Sequence, residues 1–351
     1  MQKFFSTRMK HFIIPFISLL SFTVAAQTKV QVVAIGSYNC ENLFDTTDDP
    51  DKKDEDFTPD GSYGYTGDVY RAKLHNTATV LSRLGTDVTP DGAAVIGLVE
   101  IENNTVLEDL VSQKEIAGRH YKYCWHPTPD ERGISTAMLY NPKYMTVIAS
   151  EPIPVPLESL GQRRPTRAIL HIYGVLAGDT VHILVNHWPS KSGGEAASAP
   201  GRMLAASVNK RFIDSLLNKN PETKVMLMGD LNDEPTSEPI ISVLKAKADK
   251  SKTGQTELYN PWIRMYKKGM GTENYRGEWG LLDQIMLTGN MVHKNSGWTF
   301  HKAEIFNRDF LINHIGSYKG LPHRSFTVSH VWDNGYSDHF PVLVYLVREK
   351  K

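Results

Sequence analysis

Short apolar runs that each end in polar residues constrain this chain more than any other feature. They are "KVQVVAIGSYNCENLF" (29–44), "AAVIGLVEIE" (93–102), "RAILHIYGVLAGDTVHILVNHW" (167–188), "KVMLMGD" (224–230), "LLDQIMLT" (281–288) and "FPVLVYLV" (340–347). Runs of this length, rich in Val, Ile and Leu, read as buried strands. The segment 167–188 reads as a hairpin with its turn near Gly178-Asp179, and "YKYCWHPT" with "STAMLYNP" as a strand pair around the loop 127–133. Two stretches between the runs change period. "DVYRAKLHNTATVLSRLG" (68–85) and "RMLAASVNKRFIDSLLNK" (202–219) carry apolar residues every three to four positions and read as helices. Alternating strands and helices with frequent hairpins predict mixed sheets covered by helices, not a purely parallel doubly wound sheet. Residues 290–336 show no clear period and read mainly as long loops.

The first 26 residues combine Lys3, Arg8 and Lys10 with a mostly apolar stretch from Phe12 to Val24, then "VAAQ". That pattern predicts a secretory signal cleaved after Ala26, and so a secreted or periplasmic protein with no stable membrane insertion after removal. The rest, 27–351, reads as one catalytic domain without repeats or linkers. The chain has 39 cations and 39 anions, so it has no global field to hold a polyanion. A phosphate-bearing substrate must be attracted by local groups or metal ions. The acidic stretch from Asp45 to Asp60, eight acids against Lys52 and Lys53, reads as a solvated loop. Cys40 and Cys124, the two cysteines, read as buried thiols, with a single disulfide left open.

The chemistry lies at the strand ends. Asn39 and Glu41, Glu100 and Glu102, Asn186 and His187, Asp230 and Asn232, Asp283, and Asp338 with His339 all sit where an apolar run stops or starts. Singly, each has an ordinary explanation: a turn cap, a satisfied structural histidine, a surface pair. Asp283 is harder to explain so, because it is flanked by Leu281, Leu282, Ile285 and Met286 and a carboxylate there must be paired. As a set, hard oxygen donors with few histidines suit Mg2+, with Mn2+ or Ca2+ also possible, rather than zinc. A carboxylate-bound divalent ion can neutralise a phosphodiester and orient water, and an imidazole held by a carboxylate can polarise a phosphoryl oxygen. The combination points to phosphate-ester hydrolysis.

These segments, in this order, resemble the endonuclease/exonuclease/phosphatase superfamily, which includes deoxyribonuclease-like and abasic-site endonuclease-like enzymes. The resemblance runs from about Val33 to Val344, with "MGDLNDEP" and "SDHFPV" its most specific parts. "NHWPSKSGG", "RGISTAMLYNP" and "CENLFD" resemble more narrowly its secreted bacterial, endonuclease-like branch. The resemblance implies an α/β fold: a four-layer α/β sandwich, two packed mixed β-sheets flanked by helices. It also implies roles. Glu100 and Asp338 would bind the metal. Asp230 would activate water, with Asn232 orienting it, and His187 would contact the scissile phosphate. Asp283 would hold His339, which would stabilise the phosphoryl transition state. Asn39 would position a metal ligand or the phosphate, and Arg132 would contact phosphate. One departure stands out. The pattern calls for an acid at Ser135 or Thr136 as partner of His187, which leaves Glu131 or a backbone carbonyl to orient that ring.

The expected activity is a secreted, Mg2+-dependent phosphodiesterase, foremost a nuclease on DNA or RNA. The alternatives are hydrolysis of small or lipid phosphoesters, and a catalytically inactive binding protein on the same fold. A basic, aromatic-lined groove would favour nucleic acid, with Tyr65, Lys73, Arg276 and Arg324 among its candidate residues. Sequence names no protein partner.

Overall fold

The computed structural model describes residues 30–162, 164–293 and 297–349, so the expected signal segment lies outside the described residues. In chain order the elements are β1 (Val30–Leu43), α1 (Gly67–Arg83), β2 (Ala93–Ile101), α2 (Asn104–Val111), β3 (Lys122–Trp125), β4 (Ser135–Tyr140) and β5 (Met145–Ile153). There follow β6 (Ile169–Leu176), β7 (Asp179–His187), α3 (Glu195–Lys219), β8 (Lys224–Asp230), β9 (Leu258–Tyr259) and α4 (Trp262–Tyr266). The last are β10 (Glu273–Tyr275), β11 (Glu278–Gly280), β12 (Asp283–Thr288), β13 (Thr299–Ile305) and β14 (Val342–Glu349).

Two six-stranded mixed sheets result, ordered β13-β14-β1-β2-β4-β3 and β5-β6-β7-β8-β12-β9, with β10-β11 as a separate hairpin. Each large sheet holds one parallel pair, β1 with β2 and β7 with β8. A parallel pair needs a long crossover. The helical stretches α1 and α3 supply it, each sitting between the two strands of its pair.

Side-chain alternation sorts the layers. In the second sheet Leu184, Val225, Leu227 and Met286 pack with Ala205, Ala206, Ile213 and Leu217 of α3. Ile183, Val185, Met226, Met228 and Ile285 point the other way and meet Ile35, Val95 and Val99 of the first sheet. Leu74, Ala78 and Leu81 of α1 and Leu107 and Leu110 of α2 complete the same core from the far side. These strands have apolar residues on both faces, which is why they read as unbroken apolar runs. The layering is the expected four-layer sandwich. The sheets approach closely at Gly97, where a Cβ would lie 2.8 Å from Met228 Sδ and 3.2 Å from Val185 Cγ1.

Helices α2 and α4 and the β10–β11 hairpin have no counterpart in the sequence reading, and further differences fall at the sheet edges. β5 and β13 have no counterpart in it, and both are edge strands. Most of β5 is exposed or half-buried, so its apolar alternation is diluted, and it carries Pro152. Helix α3 starts at Glu195, well before the periodic stretch, and runs through Pro200. Cys40 and Cys124 are buried and free, so no disulfide joins them.

Candidate active site

The ends of β1, β2, β7 and β8, the start of β12 and the segment before β14 meet at one end of the sandwich. Register fixes half of the arrangement. His187 on β7 pairs directly with Asp230 on β8, and Asp230 pairs directly with Asp283 on β12. Three neighbouring strands of the second sheet therefore present one functional side chain each, side by side.

The first sheet answers across the gap. Asn39 Nδ2 donates to Asp230 Oδ2 at 3.1 Å, and Asn39 Oδ1 accepts from the Glu41 amide at 2.9 Å. That amide can only donate, so it sets the orientation of the Asn39 side chain. His339 Nδ1 lies 2.7 Å from Asp283 Oδ2. Glu100 Oε2 accepts from the Asn42 amide at 2.8 Å. Its Oε1 lies 3.8 Å from His187 Nε2, and Asp230 Oδ2 is also 3.8 Å from that nitrogen. Glu100, Asp230 and His187 thus share one small space, and His339 joins it through Asp283, the strand neighbour of Asp230.

The backbone here is unusual. Glu41, Asn42, Glu100 and Asn232 all have positive φ, at 52°, 56°, 64° and 48°. Left-handed conformations are costly for side chains other than Gly and Asn, and they gather where the surroundings enforce them. Gly229 has φ 131°, and a Cβ there would lie 1.9 Å from the Asn186 carbonyl oxygen. Only glycine lets β8 come this close to β7 immediately before Asp230.

Burial and charge set the protonation pattern. Burial pushes the Asp230 carboxyl up to about 6; His339 pulls it down, while Asp283 and Glu100 add to the rise. Burial and the Asp338 charge push Glu41 up to about 7. Glu273 is likewise raised to about 7, by burial first. The two imidazoles diverge. Burial, then the Arg167 and Arg132 charges, hold His187 well below its usual value, so it is neutral. Burial also opposes charge on His339, but the Asp283 carboxylate outweighs it and holds that ring well above its usual value.

Other expected residues lie further out. Asp338 Oδ2 is 3.3 Å from Arg324 Nη2. Asn232 donates its side-chain amide to the Trp188 carbonyl at 3.0 Å, and its backbone amide to Asp230 Oδ1 at 2.8 Å. Arg132 is half exposed, its Nε 3.8 Å from Asp130 Oδ1, and it lines a neighbouring cavity with Arg164, Arg167 and Ser190. Asn186 turns away, accepting from Trp188 Nε1 and Asn209 Nδ2. Asp233 serves packing, its carboxylate 2.9 Å from the Nε of fully buried Arg202.

Two expectations need correction. Glu131 does not orient His187, because it pairs with Lys53. Nor does a backbone carbonyl: His187 Nδ1 is buried with no hydrogen-bond partner among the described residues. Ser135 contributes only a hydroxyl, 3.3 Å from Thr128 Oγ1. Lys73 and Tyr65 are buried, not groove-lining. Lys73 Nζ donates to Ser325 Oγ, whose backbone amide donates to Glu41 Oε2 at 2.6 Å, so a buried cation sits beneath the carboxylates. Sequence reading assigned no role to Glu41, Arg167 or Glu273. Glu41 lay in plain view, two residues past Asn39 in "NCEN", but Glu273 sits between the runs 224–230 and 281–288, in a stretch to which no element was assigned.

The donor set fits a hard divalent cation. Glu100 sets a carboxylate oxygen at the mouth of the site among several further acids, and Mg2+ commonly takes only one or two protein carboxylates, completing its shell with water and substrate oxygens. Among the described residues no three His, Cys, Asp or Glu side chains form a fuller cage.

Comparison with known proteins bears on the fold and the family. No curated protein is similar to the chain in sequence. Among solved structures, a humanized D. rerio TDP2 superposes with TM-score 0.52 at 14% identity, covering 90% of this chain and 98% of that one. An endonuclease/exonuclease/phosphatase family protein from Bacteroides thetaiotaomicron gives 0.53 at 14% identity, covering 92% and 100%. A mannosyl-6-phosphatase from the same organism gives 0.52 at 14%, covering 90% and 99%. At such identities the likeness is one of fold. The sequence pattern of the Endonuclease/Exonuclease/phosphatase family matches residues 34–348, nearly the whole described chain, and the protein belongs to that family.

Proposed function

We propose that this protein is a divalent-metal-dependent phosphodiesterase that hydrolyses nucleic-acid phosphodiester bonds, working as one catalytic domain after export to the periplasm or exterior. The convergence of Glu100, His187 and Asp230 within 3.8 Å contacts, beside the His339–Asp283 pair, carries this reading. Glu100 would hold the cation, with Asp338 as a further acidic ligand and Mg2+ as the natural choice. A divalent ion in such a site neutralises phosphate charge and makes bound water more acidic.

The side chains divide the remaining work. Asp230, aimed by the Asn39 amide and the Asn232 backbone, accepts the proton of the attacking water. Asn39 therefore positions Asp230. His339, protonated by virtue of Asp283, donates to a non-bridging phosphoryl oxygen as charge builds there. Neutral His187 offers a donor without adding positive charge. Arg132 meets a more distant phosphate from its exposed position.

The small-phosphoester reading draws on one specific observation, the formal charge of zero, which gives the chain no long-range pull on a polyanion. The fold does not choose, since one relative is a D. rerio TDP2 bound to single-strand DNA product and another a mannosyl-6-phosphatase. The test is hydrolysis of plasmid, single-stranded DNA, RNA and a panel of phosphomonoesters with Mg2+, then with chelator. The parent is expected to cut a phosphodiester, chelator to stop it, and Asp230→Ala to lose about 10²–10⁴-fold in rate. If only monoesters react, the small-phosphoester reading replaces this one. If Asp230→Ala matches the parent, the assignment of the base is wrong.

A further inference from the structure

Beside Asp338 the surface opens into a cleft of about 420 Å3. That lies within the ~300–1,000 Å3 typical of small-molecule sites. Its walls include Tyr275 and Arg276 from the β10–β11 hairpin, Tyr318, Arg324 and Val328 from the segment before β14, and Asp338 itself.

The hairpin is fixed at its base and displayed at its tip. Glu273 bridges to His339, and the Phe340 amide donates to the Thr272 carbonyl at 2.8 Å. Trp279 stacks on Phe340 with ring centroids 6.0 Å apart. The hairpin is thus bolted to the backbone that carries Asp338 and His339. At the tip, Arg276 and Gly277 have φ 53° and 90°, the pattern of a two-residue primed turn. Such a turn favours Asn or Asp in the first position, so Arg276 bears strain there. Packing does not repay it, because Tyr275 is 62% exposed and the Arg276 guanidinium merely rests 5.1 Å from the Tyr275 ring centroid. Across the cleft Arg324 reaches both ways, 3.3 Å from Asp338 and 5.9 Å from the Tyr318 ring centroid. An exposed aromatic on a rigid arm, with guanidinium groups around it, has the make-up of a stacking platform for a planar group attached to a phosphate.

We infer that this cleft holds the nucleobase of the nucleotide unit whose phosphate reacts, stacked on the open surface of Tyr275 with Arg276 alongside. The inference rests on the phosphodiesterase reading and deepens it, assigning the substrate to nucleotides or single strands with unpaired bases. It also explains how a chain without net charge can hold a nucleic acid: stacking beside the site does the work that a basic field does elsewhere.

The test measures binding apart from catalysis. Deoxyadenosine 5′-monophosphate and 2-deoxyribose 5-phosphate are titrated calorimetrically, with Mg2+, into the parent and into Tyr275→Ala, whose exposed position leaves the fold intact. The parent is expected to bind the nucleotide at least about five-fold more tightly than the sugar phosphate, in line with measured base–aromatic stacking. The variant is expected to lose that preference and to keep its affinity for the sugar phosphate. In parallel, a single-stranded oligonucleotide is compared with one carrying an abasic unit at the cut site; the parent should show a raised KM on the abasic strand, and the variant should not. Equal binding of the two probes by the parent, tighter binding of the sugar phosphate, or full discrimination by Tyr275→Ala overturns the inference. Discrimination in binding without cleavage of either strand leaves the base cleft standing and counts against the hydrolase reading alone.

Discussion

Asp283 shows how one residue can serve stability and chemistry together. Its carboxylate lies inside a sheet, fully buried, where a lone charge would be costly. The partner is His339, whose ring it holds protonated. In Asp283→Asn the ring loses its counter-charge while burial still opposes protonation, so the His339 pKa should fall steeply, as an NMR titration of the imidazole would register. With it should go the charged donor, at an expected cost of about 10²–10⁴-fold in rate. Stability should respond with a definite sign. The folded pKa of His339 lies above the unfolded value, so the pair's contribution is complete below pH ~6.5 and declines as pH rises through the folded value. An unchanged His339 titration in the variant would remove Asp283 from this role.

At the scale of elements, the β6–β7 hairpin carries a second histidine pair, away from the site. His171 Nδ1 lies 3.0 Å from Glu151 Oε1, and its Nε2 lies 2.9 Å from His182 Nδ1. A carboxylate only accepts, so His171 donates through Nδ1 and, being neutral, accepts through Nε2 from His182. The bond between the rings fails when both are charged, because the two facing nitrogens would then both be donors. Burial, then the neighbouring His171, lower His182 from 6.5 to about 4. Burial also lowers His171, against the pull of Glu151. The unfolded chain therefore takes up a proton near pH 6.5 that the folded chain refuses until about pH 4. Stability contributed by this pair is present above pH ~6.5 and drains away as pH falls through that window. In thermal scans His182→Gln should lose less Tm than the parent between pH 7 and pH 5. Equal losses would show that the pair is not the acid-sensitive element.

At the scale of the whole molecule, the site is a seam where two sheets are held together at one end by Asn39–Asp230 and His339–Asp283. Around that seam Glu41, Asp230 and Glu273 are all pushed up, each by burial first and then by neighbouring acids. Folding thus gathers mutually repelling carboxylates, and a divalent cation bound there should stabilise the entire fold. Saturation at a hundred times the dissociation constant adds about 2.7 kcal/mol. Millimolar Mg2+ or Mn2+ should therefore raise the parent's Tm without any substrate present, and Glu100→Gln should blunt the rise. A parent Tm indifferent to both ions would take the cation out of the site.

The local pattern of the chain already determined the alternation of strands and helices, the hairpin at 178, and the placing of polar side chains at strand ends, because periodicity and turn chemistry act over a few residues. The strand-end position of Asp230 and the anomaly of a carboxylate in "LLDQI" were legible for that reason. What only the tertiary structure decided was proximity. Asn39 meets Asp230 across 191 positions and His339 meets Asp283 across 56, separations that sheet order and register bridge and no local pattern encodes. The same holds for Lys73, which helical spacing left free to face solvent and which folding buried beneath Glu41 and Ser325. It holds as well for Asp233, three residues from Asp230 yet spent on Arg202. Sequence named the groups able to do the chemistry; the packing of two sheets chose which of them share a space, because burial, strain and charge coupling exist only once distant strands are in contact.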